Sequence, residues 1–83
     1  MIDIRIVIER DDVIAYLKKR NLFLKYKKSK DLLLGGNFDL VALKKRKPKS
    51  AGIWSFRVDK QFRALSYIDG NTMVVFDIDN HQN

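Results

Sequence analysis

"WSFRVDKQFRALSYIDGNTMVVFDID", residues 54–79, decides the fold. Trp54, Phe56 and Val58 alternate with Ser55 and Arg57. Phe62, Ala64, Ser66 and Ile68 alternate with Arg63, Leu65 and Tyr67. Period-two alternation rich in aromatic and β-branched residues predicts strands. Asp69 to Asn71 is a hairpin turn signal, and the apolar run after it predicts a third strand. A tight turn near Asp59 and Lys60 joins the first two. The last third therefore reads as an antiparallel meander.

A meander needs a cover for its apolar face, and the upstream sequence supplies one. "IDIRIVIE", residues 2–9, alternates: Ile2, Ile4, Ile6 and Ile8 fall on one face and Asp3, Arg5 and Val7 on the other, which predicts a strand. Asp11 and Asp12 then stand where the first turn of a helix favours acids, and Val13, Ile14 and Leu17 take helical spacing. Lys18, Lys19 and Arg20 close that helix with the charge its C-terminal end prefers. After Asn21, Leu22, Phe23, Tyr26, Leu33 and Leu34 share a second helical face, stopped by Gly35 and Gly36. The predicted architecture is α+β, in the order β-α-α-β-β-β: an antiparallel sheet, joined by the N-terminal strand, with a helical hairpin packed on one face.

With 83 residues, the chain is expected to form a single domain over 1–83. The absence of cysteine excludes disulfides, a thiolate nucleophile and a cysteine zinc site, and a single histidine, His81, excludes multi-histidine metal sites. No metal and no cofactor is expected. No apolar run approaches the ~18–20 residues of a membrane span, and the alternating start is not a signal peptide, so a cytoplasmic location without membrane contact is expected.

The formal charge of +7 points to an acidic partner. Its densest source is Lys44, Lys45, Arg46, Lys47 and Lys49, around the only proline, Pro48. This segment reads as an exposed basic loop: either a solvated charge run or a phosphate-contacting one, salt-sensitive and carrying little sequence information. Arg57 and Arg63 fall on neighbouring strands. Cross-strand neighbours lie roughly 5 Å apart, so two guanidinium forks on one face can grip one phosphate, a geometry lysine does not match. Cross-strand ion pairing of Arg57 with Asp77 or Asp59 is the plainer alternative. Trp54 reads as core. Tyr67 shares the parity of Arg63, where it either stacks a base or lies against the last strand. Asp77 and Asp79, two apart on one strand face, read as edge charges. His81 suits acid–base work near neutral pH if it reaches the cleft.

Residues 52–67 resemble the core signature of the RelE/ParE toxin superfamily of toxin–antitoxin systems, most closely its RelE and YoeB branch. Gly52, Trp54, Arg57, Arg63 and Tyr67 carry the likeness. The resemblance implies a microbial-RNase-like fold and a ribosome-dependent mRNA endonuclease that works without a metal and leaves a 2′,3′-cyclic phosphate. It implies Arg57, Arg63 and His81 as catalytic residues. Lys44, Lys45, Arg46, Lys47, Lys49 and Tyr67 are the expected RNA-binding set. The expected partners are an acidic antitoxin, the ribosome and mRNA. The glutamate of YoeB-like members has no counterpart here, and Gln82 stands where a tyrosine often follows the histidine, so proton transfer falls to His81 or a lysine. The alternative functions are a gyrase-directed toxin of the same fold, a degenerate toxin that only binds its antitoxin, and a non-catalytic RNA-binding module.

Overall fold

A computed structural model of the chain describes residues 2–80. Strand β1 (Ile6–Glu9) leads into helices α1 (Asp11–Lys19) and α2 (Phe23–Leu34). Strands β2 (Lys44–Lys45), β3 (Trp54–Arg57), β4 (Phe62–Asp69) and β5 (Thr72–Asn80) follow, with one 3-10 turn at Lys49–Ala51. The class is α+β: two helices against one five-stranded sheet in the order β1-β5-β4-β3-β2.

The sheet is mixed, which corrects the antiparallel expectation. β2 through β5 pair antiparallel, but β1 lies parallel to β5, with Val7 opposite Met73. A parallel neighbour requires a crossover, and the helical hairpin and the meander together form it. The basic segment is likewise not wholly a loop, because Lys44 and Lys45 pair with Ser55 and Trp54 as a short edge strand.

The helices form where sequence and dipole agree. Asp11 and Asp12 occupy the first turn of α1 and Lys18 and Lys19 its last, while Val13 and Leu17 turn inward one above the other. Asn21, at φ 59°, takes the left-handed conformation that asparagine tolerates better than most residues, and the chain turns there into α2. In α2, Tyr26, Ser29 and Leu33 are buried at spacings of three and four. Gly36, at φ 81°, lets the chain leave the helix end.

The core lies between hairpin and sheet. Leu17, Leu33 and Tyr26 meet Phe56, Ala64, Met73 and Val75, and Trp54 packs half-buried beside them. Tyr26 also anchors the hairpin to β1: its hydroxyl donates to Glu9 Oε2 at 2.7 Å, and Lys30 Nζ donates to the same oxygen at 2.8 Å. Burial, then the bond to Glu9 and its charge, push the Tyr26 phenol far above its ordinary range. Ser29 Oγ donates to the Val58 carbonyl at 3.4 Å and ties α2 to the β3–β4 turn.

The isoleucines of β1 divide differently from the simple alternation. Ile4, ahead of the strand, is buried, whereas within the strand Val7 points inward and Ile6 and Ile8 stand 54% and 48% exposed. Their side of the sheet carries no helix.

Candidate nucleic-acid interface

The turn between β3 and β4 is built by Asp59. Its Oδ1 accepts the backbone N–H groups of Gln61 and Phe62, both at 2.8 Å, and its Oδ2 lies 3.6 Å from Lys25 Nζ. Burial pushes the Asp59 carboxyl up, but the two backbone donors and Lys25 outweigh it and hold it below the ordinary range. The turn sets the register that places Arg57 directly opposite Arg63.

Residues directly opposite each other share a face, so both arginines project to the side away from the helices. Arg57 N–H donates outward to the Val41 carbonyl at 2.6 Å. The Arg57–Arg63 couple is therefore a non-hydrogen-bonded pair, the closer kind, with Cα atoms about 4.5 Å apart. Arg57 is exposed and Arg63 half-buried. Among the described residues neither joins an ion pair. The acids suspected of neutralising Arg57 are engaged elsewhere: Asp59 as above, and Asp77 by accepting the N–H of Ile78 at 2.9 Å.

Continuing across the sheet, Asp79 stands opposite Arg63 on β5. Its Oδ2 lies 3.4 Å from Arg46 Nη1, with both side chains about one-third exposed. Arg46 is thus a tethered member of the cluster rather than a loose loop cation. Lys44, in register with Ser55, completes a face on which Lys44, Arg46, Arg57 and Arg63 outnumber Asp77 and Asp79.

Of the other basic residues, Lys45 lies on the opposite parity, with Nζ 5.8 Å from the Trp54 ring centre. Lys47 and Lys49 are exposed beyond β2. Tyr67, 47% exposed, shares the arginine face. Its ring centre lies 6.1 Å from that of Phe76, with a tilt of 30°. That contact comes from a register shift: Leu65 pairs with Asp77 but Ser66 pairs with Val75, leaving Phe76 as the extra residue of a bulge. His81 lies outside the described residues.

Sequence reasoning missed three participants. Arg46–Asp79 joins residues 33 apart, and Phe76 depends on a bulge that no alternation signals. The third is Ser55, which on β3 shares the parity of Arg57. It is fully buried, and its hydroxyl has no hydrogen-bond partner among the described residues.

The arginines sit on an open sheet face. Two surface concavities, of about 560 and 430 Å³, lie elsewhere, beside residues 9–12 and residues 36–40. An open cationic strip flanked by two aromatic rings suits an extended polyanion with flat bases better than a small enclosed ligand. Among the described residues no group of three or more potential ligands is arranged to hold a metal, and no helix is long and apolar enough to cross a membrane. Comparison with known families finds no family model that matches the chain, and comparison with curated proteins finds no match.

Proposed function

We propose that the open sheet face grips the phosphodiester backbone of RNA and that the chain is a RelE/ParE-type toxin cutting mRNA on the ribosome. The observation that carries this reading is the direct cross-strand pairing of Arg57 with Arg63 on the solvent-facing side, without a carboxylate bonded to either among the described residues. Like charges directly opposite one another destabilise a sheet, and a bound phosphate turns that cost into a grip.

In this reading the 2′-oxygen attacks the adjacent phosphorus and the 5′-oxygen departs, leaving a 2′,3′-cyclic phosphate and a 5′-hydroxyl. Arg57 and Arg63 stabilise the extra negative charge of the phosphorane, which develops only in the transition state. His81, assigned from the family resemblance, carries the proton. Tyr67 and Phe76 offer a stacking surface to a flanking base, while Lys44, Lys45, Lys47 and Lys49 hold phosphates farther along the strand or on ribosomal RNA. An acidic antitoxin is the partner that the +7 charge would attract.

The test is purified protein incubated with ribosomes and mRNA. Cleavage leaving cyclic-phosphate ends is expected. Arg63→Ala should reduce it by about 10- to 150-fold, the equivalent of one charge-assisted hydrogen bond of about 1.5–3 kcal/mol. Intact mRNA together with blocked DNA supercoiling would favour the gyrase-directed alternative, and RNA binding without cleavage the plain binding module.

A further inference from the structure

The two edges of the sheet are defended very differently. The β2 edge is two residues long, both of them lysine, and the chain beyond it runs into Arg46, Lys47 and Pro48. Shortness, lysine and proline are the usual means of stopping an edge from pairing with another chain. The β1 edge, Ile6–Glu9, is twice as long and has neither lysine nor proline. It is β-branched through Ile6, Val7 and Ile8, with two of these side chains about half exposed.

Its backbone is also unpaired on the outer side. Ile6 and Arg10 donate their N–H groups to Asn71 and Val75, and Arg5, just ahead of the strand, shares the Asn71 carbonyl at 2.9 Å, so within Ile6–Glu9 the even-numbered residues face β5. The N–H and C=O groups of Val7 and Glu9 point away from the sheet. Among the described residues they make no backbone bond to another element.

We propose that this edge pairs with β1 of a second copy, antiparallel and centred on Val7, to give one continuous ten-stranded sheet. The pattern is self-complementary in that register. Ile6 falls opposite Ile8 of the second copy in a non-hydrogen-bonded pair, the arrangement that brings side chains closest. Arg5 falls opposite Glu9, where it matches by side-chain charge while its backbone N–H stays on Asn71. Arg5 is held only by an exposed contact with Asp3 at 3.0 Å, and Glu9 uses only Oε2 for Tyr26 and Lys30, leaving Oε1 without a bond among the described residues. Residues 2–10 carry two acids and two arginines, so the overall positive charge is not concentrated where the copies meet. The inference is independent of the RNA reading, because β1 lies two strands from Arg63.

The experiment is sedimentation velocity of the full chain from low to high micromolar concentration, beside amide exchange at both extremes. A monomer–dimer equilibrium is expected, with protection of the Val7 and Glu9 amides rising with concentration. The Ile6 and Ile8 amides, already facing β5, should be protected throughout. Ile6→Lys/Ile8→Lys should keep the fold by circular dichroism, raise the dimer dissociation constant at least about tenfold and abolish the concentration dependence at Val7 and Glu9. A wild type that stays monomeric across the range would overturn the proposal and leave the edge to a strand from another protein. A dimer that survives the double substitution, or that leaves Val7 and Glu9 unprotected, would overturn it equally.

Discussion

Arg57→Gln should make the protein more stable. Arg57 stands directly opposite Arg63 in a pair whose side chains lie close, and neither has an ion-pair partner among the described residues. Two unit charges about 6 Å apart in water repel by about 0.7 kcal/mol, within the ~0.2–1 kcal/mol range of cross-strand pair effects. Glutamine keeps the length and polarity of the side chain and removes the charge. In a domain of this size the gain corresponds to a rise in melting temperature of roughly 1–8 °C. The cleanest assay is a double-mutant cycle in urea at low salt. Arg57→Gln should stabilise the wild-type background and do little in an Arg63→Gln background, because one neutralisation already removes the repulsion. The gain should fade in high salt, where exposed charges are screened. Inorganic phosphate should stabilise the wild type more than Arg57→Gln. Equal effects of Arg57→Gln in both backgrounds, or a loss of stability unaffected by salt, would show that the arginines support the sheet rather than strain it.

Three further outcomes follow from the polar contacts. Tyr26→Phe should cost about 1 kcal/mol in urea denaturation by removing one bond to Glu9. Because the folded chain keeps the Tyr26 proton while the unfolded chain loses it, the stability this gives is full below about pH 10 and declines as pH rises beyond; Tyr26→Phe should flatten that alkaline decline. Asp59→Ala should destabilise by about 1 kcal/mol at neutral pH, as loss of a backbone-capping carboxylate does. The lowered folded pKa of Asp59 confines its pH-dependent contribution to pH above about 4, so the gap from wild type should narrow as pH falls through the folded value in an acid titration followed by circular dichroism. Ser55→Ala should leave the urea midpoint unchanged or raise stability by up to about 1 kcal/mol, since the buried hydroxyl has no partner to lose; a drop larger than that would reveal one.

The parts of the fold legible in sequence are those with a local cause. Both helices begin and end where charge, asparagine and glycine placed them, and the turn at Gly70 joins β4 to β5 as the hairpin signal predicts. The arginine couple was legible too, because alternation and a tight turn fix a common face. What alternation cannot tell is which face is covered. Ile6 and Ile8 have the character of core residues and stand in solvent, since the parity of β1 is decided by Val7 meeting Met73. The parallel placement of β1 and the bond from Arg46 to Asp79 depend on where distant segments end up, for which 3.6- and 2-residue periods hold no information.

The extra residue in β5 acts as a phase shifter. Val75 stands opposite Ser66 on the covered side, while Asp77 stands opposite Leu65 on the uncovered one. Were β5 to pair straight through Phe76 without the bulge, Asp77 and Asp79 would turn toward the helices and Ile78 out to water, exchanging the two sides of the last four residues of the strand. Deleting Phe76, by contrast, removes bulge and extra residue together and leaves both carboxylates where they stand. The bulge, more than any side chain it carries, is what keeps two carboxylates facing the arginines instead of burying those charges under the hairpin.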